Sequence, residues 1–308
     1  MLFGIQVEPQ FGFAYDEVFA IAHEAEEAGF DSIWLSDHLF LNEDSVGDDC
    51  LETWTLLAAL ARETSRIRLG TMATCQSYRN PALLAKIVAG VDQISGGRVE
   101  FGIGAGWKEI EYRAYGYDFP PPRVRVEQLV ETIEICLRMW RDDRATYRGT
   151  HYQVVDAPCA PKPVQRPNPR VWVTGQRPGI MRAAATYGDA INVSGFPTVD
   201  RYAEAMRELE RACARAGRPP TAILRSQFCP VSVGRDRRDV ERLAAAGAAR
   251  THITQAEWLR ISGTPAEVVS QIRAYERLGV SYLIACFPVG HESAAIRIFA
   301  EEVIPALA

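Results

Sequence analysis

The sequence lacks the features of proteins that bind nucleic acid, cross membranes or leave the cell. It has no long run of basic residues and carries a net charge of −5, which argues against nucleic acid and anionic membrane surfaces as partners. No stretch approaches the roughly 20 apolar residues of a membrane span. The first ten residues, MLFGIQVEPQ, do not have the pattern of a signal peptide. These absences predict a cytoplasmic protein.

Disulfide and metal motifs are also missing. The seven cysteines form no CxxC pair, so we expect free thiols in a reducing compartment rather than a disulfide framework or a cysteine-rich zinc site. His23, His151, His252 and His291 have no ligand spacing, and no HxH or HExxH motif occurs, so we predict no metal. The GxSxG motif of serine hydrolases is absent as well.

What is present is a regular alternation of short apolar runs and helical patterns. With 308 residues and 47% hydrophobic content, the chain is long enough to bury a large core. Strands that are apolar on both faces and are each followed by a helix specify a parallel sheet covered by helices. The candidate strands are 2–7, 32–37, 67–74, 98–106, 170–175, 189–195, 225–234 and 280–288.

Eight strand–helix units predict an α/β fold, a (β/α)8 TIM barrel, formed as a single domain over residues 1–308 with insertion loops. A doubly wound open sheet is the structural alternative. The number of units and the chain length favour the barrel, and no GxGxxG motif follows the first strand.

Two connecting segments are longer than usual. Residues 38–52 are polar and acidic and leave the C-terminal end of the second strand, where barrel active sites lie, so we predict that they form a lid. Residues 141–170 are rich in proline and join a helix to the next strand. We expect this second segment to pack on the opposite face of the barrel.

Polar and small residues follow several of the predicted strands. In a barrel, the C-terminal ends of all strands meet around one pocket, so these residues are candidates for a site. The candidates, in chain order, are Glu8, Asp37, His38, Met72, Ala73, Gly104, Ala105, Gly106, Trp107, Glu111, Gly175, Gln176 and Arg177.

Three glycines alternate along the fourth strand in the stretch GIGAGW. Gly102 is expected to relieve crowding inside the barrel. Gly104 and Gly106 lie at the strand end, where the lack of a side chain lets a flat ring or a cofactor tail approach the backbone. A different cofactor contact is predicted after the fifth strand, where Gly175 and Arg177 precede a helix. The amides at such a helix start attract phosphate, and arginine adds further donors.

Longer stretches resemble a known family. The segments AEEAGFDSIWLSDH, GTMATCQSYRNPALLAKIVAGVDQISGGRVEFGIGAGWKEIEYRAYGYDFPPPRVRVEQLVETI, PKPVQRPNPRVWVTG and AAATYGDAINVSG are similar to signatures of the luciferase-like flavin and deazaflavin oxidoreductases. The resemblance extends from Gly4 to Ser194 and continues more weakly over 263–272. Within this superfamily, the sequence is most similar to the branch that depends on coenzyme F420.

The resemblance implies a barrel that holds a flavin-like ring in its mouth and transfers a hydride between coenzyme F420 and a small-molecule substrate. An FMN-dependent monooxygenase that uses reduced flavin and oxygen is the alternative. Dimerisation is common in the family, so a homodimer is also expected. The family includes enzymes for sugar phosphates, alcohols and one-carbon carriers, and the substrate stays open at this point.

The resemblance also implies roles for single residues. Asp37 is expected to contact the ring, and His38 or Glu8 is expected to move the proton that matches the hydride. A non-proline cis peptide is expected between Met72 and Ala73. The remaining candidates have the following expected roles: Gly104, Ala105 and Gly106 line the cofactor, Trp107 packs beside its tail, Glu111 anchors a polar group, and Gly175, Gln176 and Arg177 hold its phosphate.

Four of the candidates also have a simpler structural interpretation. Asp37 is equally typical of a turn cap, Trp107 of the core, Glu111 of a solvated helix face and Glu8 of a surface loop. Many relatives carry Gly-Gly where this chain has Gly175-Gln176, which leaves the placement of the cofactor tail open. A metal-dependent barrel enzyme or a barrel without catalytic activity would be a different class of function.

Overall fold

The computed structural model describes residues 1–307 and contains a closed barrel of eight parallel strands. The strands are β1 (Leu2–Val7), β2 (Ser32–Leu35), β3 (Arg68–Thr71), β4 (Val99–Gly104), β5 (Arg170–Thr174), β6 (Ala190–Asn192), β7 (Leu224–Val233) and β8 (Val280–Cys286). Each strand pairs with the next along the chain and β8 pairs with β1, so the eight strands close on themselves. A short additional strand, Ile261–Gly263, pairs with the end of β7. The fold is therefore the predicted (β/α)8 barrel.

Helices surround the barrel and begin and end where the sequence places caps. Asn80 accepts a hydrogen bond from the Leu83 amide, and Pro81 occupies the first position of the following helix. The helices are α1 (Tyr15–Glu27), α2 (Thr53–Glu63), α3 (Pro81–Ser95), α4 (Glu109–Tyr115), α5 (Pro122–Arg141), α6 (Pro178–Tyr187), α7 (Val199–Ala216), α8 (Arg237–Arg250), α9 (Gln255–Trp258), α10 (Pro265–Glu276), α11 (Glu292–Ile298) and α12 (Ile304–Leu307). None of the helices in the described range is both long and apolar enough to cross a bilayer.

The third predicted strand, 67–74, is interrupted. β3 ends at Thr71, the Met72–Ala73 peptide is cis as predicted, and a short strand, Thr74–Cys75, then pairs with β4. The backbone therefore bends at the point where the third strand reaches the mouth of the barrel.

Large aromatic side chains fill the interior below the mouth. The rings of Trp34 and Trp172 lie 4.7 Å apart, and Tyr282 packs against both. Gly70 makes room for Trp34, because a Cβ atom there would lie 2.2 Å from the indole. The prediction that Gly102 relieves crowding is also confirmed, since its Cβ would lie 1.8 Å from the Thr71 carbonyl oxygen. This packed layer forms the floor on which the site rests.

The prediction for residues 141–170 is correct only for the second part of the segment. Gln165 contacts the starting ends of β3 and β4, where its Nε2 donates to the Val99 carbonyl at 2.7 Å. The first part instead forms a hairpin of strands Arg144–Arg148 and Gln153–Pro158, which packs along α5. Its turn is held there because amides at 150–152 donate to the buried Glu131 carboxyl.

Candidate active site

A cleft of about 510 Å³ lies at the C-terminal end of the barrel and is lined by residues that follow β1 to β7. Every candidate named from the sequence lies on its wall, from Glu8 to Arg177. A more open depression of about 940 Å³ lies at the other end of the barrel, next to Gln165 and Arg225, and contains none of the candidates. Because active sites of this fold form at the C-terminal end, the cleft is the candidate active site.

His38 and Glu111 form the central polar pair of the cleft. The imidazole Nδ1 of His38 lies 3.0 Å from Oε2 and 3.1 Å from Oε1 of Glu111. His38 follows β2, whereas Glu111 lies in the first turn of α4 after β4. The Glu111 side chain is fully buried, so the interpretation of Glu111 as part of a solvated helix face is wrong.

Several donors converge on the Glu111 carboxyl group. Tyr78 Oη donates at 2.8 Å, the Leu39 amide donates at 2.8 Å, and Lys108 Nζ lies 3.3 Å away. Burial alone raises the pKa of Glu111, but hydrogen bonds and charge from His38, Lys108 and the Leu39 amide lower it to about 2. Glu111 is therefore a carboxylate at neutral pH, and the Nδ1 that faces it carries a hydrogen.

Asp37 is buried beside this pair and is held by a different cation. Arg79 binds it through two hydrogen bonds, Nη1 to Oδ2 at 2.7 Å and Nη2 to Oδ1 at 2.9 Å. The Cys75 amide donates to Oδ2 at 2.9 Å, and Arg79 also pairs with Glu52. This network joins the ends of β2 and β3, so Asp37 shapes the cleft whether or not it also contacts a ligand.

Glu8 lies on the cleft wall at the end of β1 and is buried, so the interpretation as a surface-loop residue is wrong. Gln6 Nε2 donates to its Oε1 at 2.8 Å, and Gln10 Nε2 donates to Oε2. Ser36 in turn donates to Gln10 Oε1 at 2.7 Å. Both oxygens of Glu8 are thus engaged by neutral amides.

Gly104, the last residue of β4, and Gly106 just beyond it differ in how closely the protein packs around them. Gly106 has φ +76°, and a Cβ atom there would lie 1.8 Å from the hydroxyl of Tyr112. Gly104 is less restricted by the protein, since its Cβ would meet nothing closer than the Thr174 carbonyl oxygen at 3.6 Å. Protein packing thus explains Gly106, whereas Gly104 leaves open space on the side of the cleft.

The floor of the cleft contains an unpaired donor. Asn192, at the end of β6, is fully buried, and its Oδ1 accepts from the Phe228 amide at 2.9 Å and from Ser226 at 3.1 Å. Its Nδ2 has no hydrogen-bond partner within the described residues. Buried amide donors are normally paired, so this atom indicates a place for a ligand acceptor.

Gly175, Gln176 and Arg177 lie at the start of α6, as predicted. Arg177 is the N-cap residue and is exposed, and Pro178 occupies the first helical position. Gln176 extends toward the β6 loop, where its Nε2 would lie 3.4 Å from a Cβ at Gly195. The helix start and a free guanidinium thus border one side of the cleft.

Trp107 is 63% exposed, and its ring stands 5.6 Å from that of His38 in an edge-on arrangement. The interpretation of Trp107 as a core residue is wrong. Its indole instead forms part of the rim and covers one face of the histidine.

Comparison with known proteins assigns the family. The model of the family described as luciferase-like monooxygenase matches residues 1–260. The chain is a member of the luciferase-like monooxygenase family.

Two relatives match nearly the whole chain. The F420-dependent glucose-6-phosphate dehydrogenase of Kineococcus radiotolerans is 28% identical, over 96% of this chain and 94% of that protein. The 5,10-methylenetetrahydromethanopterin reductase of Archaeoglobus fulgidus is 26% identical, over all of both chains. An F420-dependent secondary alcohol dehydrogenase, solved with an F420-acetone adduct, has a TM-score of 0.86 at 22% identity and covers all of this chain and 99% of its own. That likeness supports the barrel fold of this luciferase-like chain.

Several residues that line the cleft of this luciferase-like protein are not among the candidates predicted from its sequence. Tyr78, Arg79 and Lys108 hold Glu111 and Asp37, but each lies in a stretch with no distinguishing local pattern. Asn192 is the last residue of β6, so its position at a strand end is the signal that could have identified it, as it does for Asp37. Phe196 and His252 come from loops after β6 and β7 that no periodicity identifies, whereas Phe228 lies within the predicted strand 225–234.

The chemical groups of the cleft suit proton transfer rather than thiol or metal chemistry. Burial raises the pKa of the Cys75 thiol to about 12, so this thiol is not a nucleophile at neutral pH. Across residues 1–307, no group of three His, Cys, Asp or Glu side chains is arranged to hold a metal ion. The buried Glu111 carboxylate fixes the orientation of the His38 imidazole, which makes His38 the candidate group for proton transfer.

Proposed function

We propose that this protein is an oxidoreductase that uses coenzyme F420 and transfers a hydride to or from a small organic substrate. The observation that carries the proposal is the His38–Glu111 pair, which presents an oriented imidazole on the wall of a cleft that is also lined by small residues after β3 and β4. Relatives that align with more than nine-tenths of the chain are named for F420-dependent reactions, which supports this cofactor.

The residues present fit a flat ring with polar edges and an anionic tail. The open space beside Gly104 accepts a ring against the backbone, and the unpaired Nδ2 of Asn192 offers a donor to a ring carbonyl. At the other end, Arg177 and the start of α6 suit a phosphate. Met72, Ala73, Ala105 and Gly106 would line the ring between these points.

When bound, coenzyme F420 supplies two-electron hydride chemistry through its deazaflavin ring. The chain supplies the proton. Because Glu111 holds the Nδ1 hydrogen, Nε2 is the ring nitrogen of His38 that gives or takes a proton at the reacting oxygen of the substrate. The carboxylate also stabilises the positive charge that the imidazole acquires, and Lys108 balances the carboxylate when the imidazole is neutral.

His38 is our first candidate for the proton carrier, and Glu8 is the second. Both oxygens of Glu8 already accept hydrogen bonds from glutamine amides, whereas Nε2 of His38 has no partner within the described residues. Asp37 is proposed to contact the cofactor only through oxygen lone pairs that Arg79 and Cys75 leave free.

Residues 38–52 remain our candidate for a lid that excludes water. Their first part is fixed to the site, because Lys108 Nζ binds the Phe40 carbonyl and Glu111 accepts from the Leu39 amide. Their end is fixed as well, because Cys50 Sγ donates to the His38 carbonyl at 3.4 Å and Glu52 pairs with Arg79. The middle is held by its own turn, in which the Asn42 amide donates to Ser45 Oγ at 2.9 Å. Any closure would therefore involve residues 42–49.

The proposal is tested by titrating the purified protein separately with coenzyme F420 and with FMN while the fluorescence of the protein and of each cofactor is followed. We expect saturable binding of F420 and weaker binding of FMN. Tight binding of FMN without binding of F420 would overturn the proposal in favour of a flavin-dependent monooxygenase. Turnover is then followed by the absorbance of F420 with alcohols and carbonyl compounds.

A further inference from the structure

We propose that the side of the cleft formed by β7 and by the loops after β6 and β7 binds the apolar part of an uncharged substrate, such as an alcohol or ketone with an aromatic or branched group. This inference rests on the proposed oxidoreductase function and names its substrate class. It depends on the side chains that β7 and these two loops contribute, which are mainly apolar. We call this surface the β6–β7 wall and define it by Phe196, Phe228, Ile253 and His252.

Two phenylalanines form the centre of the β6–β7 wall. The rings of Phe196 and Phe228 lie 5.2 Å apart at an interplanar angle of 78°, and both are half-buried. Phe228 lies in β7 and packs on the barrel floor, whereas Phe196 follows β6. The two rings therefore meet edge to face and present an apolar surface to the cleft.

The backbone at Phe196 is unusual. Its φ angle is +48°, in the left-handed region that large side chains rarely adopt. Residues in such conformations are concentrated at ligand sites, where the surrounding structure holds them. The conformation places the ring next to Phe228 and on the cleft wall, so the geometry points to a contact surface for a ligand.

The outer edge of the wall is formed by the loop between α8 and α9. Ile253 is buried, and His252 packs against Phe11 with ring centroids 5.5 Å apart. This loop lies within residues 234–263, which contain several arginines. The residues it contributes to the cleft are His252 and Ile253, neither of which is a permanent cation.

The permanent cations that line the cleft in the described chain lie outside the β6–β7 wall: they are Lys108, Arg125 and Arg177. Lys108 is held by Glu111 and the Phe40 carbonyl, whereas Arg177 lies at the proposed site for the cofactor phosphate. Arg125 lies on α5, where its guanidinium packs over Phe119 at 4.0 Å and its Nη1 donates to the Pro120 carbonyl at 2.6 Å, while its Nε has no partner within the described residues.

Acidic Glu8 is the ionisable group on the β1 side of the cleft, and it is already bound by two neutral amides. A phosphate placed against the β6–β7 wall would thus lose its hydration near acidic Glu8 and beside side chains that carry no permanent positive charge. An uncharged hydroxyl or carbonyl compound avoids this loss and gains from burial of its apolar groups.

The test measures binding of two probes, 1-phenylethanol and glucose 6-phosphate, to the wild type and to Phe196→Ala and Phe228→Leu variants. Titrations by ligand-observed NMR are made both without cofactor and with saturating F420. We expect wild-type protein to bind 1-phenylethanol at least tenfold more tightly than glucose 6-phosphate. Phe196→Ala is expected to weaken binding of the alcohol about tenfold, since most of a phenyl contact is lost. Phe228→Leu should weaken it less.

Phe19→Ala is the matched control, because Phe19 is also a half-buried phenylalanine but lies on α1 outside the cleft. It should leave both probe affinities unchanged. Tighter binding of glucose 6-phosphate than of the alcohol, or an unchanged alcohol affinity in folded Phe196→Ala, would overturn the inference. The F420 titration of the same samples reports on the proposed function separately, since the cofactor-free arm decides the substrate class even if F420 does not bind.

Discussion

Nδ1 of His38 lies 3.0 Å from Oε2 of Glu111, although the two residues are 73 positions apart in the chain. The contact fixes the orientation of the imidazole and leaves Nε2 as the nitrogen available to a substrate. A carboxylate that orients a histidine in this way also favours its protonated form when a proton is transferred. This geometry supports our proposal that His38 carries the proton.

Replacement of His38 tests this role. We expect His38→Ala to lower kcat by about 10² to 10⁴, the usual contribution of a general acid or base, while the Kd for F420 changes less than threefold. His23→Ala is the control, because His23 lies on α1 and is half exposed. Steady-state kinetics and F420 titration of the three proteins provide the measurement. An unchanged kcat in His38→Ala would transfer the role to Glu8.

The low pKa of Glu111 predicts a pH-dependent contribution to stability. Its folded-state pKa of about 2 lies below its ordinary value of 4.5, so the folded protein binds fewer protons than the unfolded chain between these values. The stabilisation is complete above about pH 4.5 and is lost as the pH falls toward 2. At pH 7, Glu111→Gln should lower the free energy of unfolding by roughly 2 kcal/mol, because charge-assisted hydrogen bonds are lost.

Urea unfolding of wild type and Glu111→Gln at several pH values checks this prediction. The difference in the free energy of unfolding should shrink as the pH falls below 4.5. Glu109→Gln is the control, since Glu109 is in the same helix but exposed and paired with Arg113 on the surface. A difference that stays constant from pH 7 to pH 3 would show that the Glu111 charge does not stabilise the fold.

Alanine substitutions at Gly104 and Gly106 should differ in their effects on stability and on cofactor binding. Gly106→Ala should destabilise the protein by roughly 2 kcal/mol or more, because φ is +76° and the new Cβ would overlap the Tyr112 hydroxyl. Gly104→Ala should change stability by less than about 1 kcal/mol but weaken F420 binding about tenfold, since its Cβ enters the space of the ring. Thermal unfolding and F420 titration separate the two effects. Normal F420 affinity in Gly104→Ala would mean that the ring lies elsewhere.

Arg177 is expected to act through charge at the start of α6. Arg177→Ala should raise the Kd for F420 about tenfold at low salt, and the difference from wild type should narrow as ionic strength increases. Arg182→Ala, an exposed arginine in the same helix that does not line the cleft, should have little effect. Titrations at 20 and 500 mM salt give the comparison. Equal effects of the two substitutions would argue against a phosphate at this helix start.

Local sequence patterns determined the barrel and much of its mouth. Apolar runs followed by amphipathic helices specify parallel strands, and the C-terminal ends of parallel strands in a barrel meet. The sequence alone therefore predicts that Glu8, His38 and Gly106 lie near one another, as they do in the cleft. The resemblance to the family added the cis peptide at Met72–Ala73. The sequence pattern does not predict the hairpin within 141–170, because its short, mostly exposed strands contain no apolar run.

Tertiary structure decided what each residue at the mouth does. In the sequence, Glu111 is equally typical of a solvated helix face, and only its contacts with His38, Tyr78 and Lys108 show that it is a buried carboxylate. The apolar surface of Phe196 and Phe228 also exists only because β6 and β7 are neighbours in the closed barrel. Strand order and polarity follow from local pattern, whereas burial and pairing depend on residues that are distant in the chain. Those distant contacts set both the charge of Glu111 and the chemistry of the space above it.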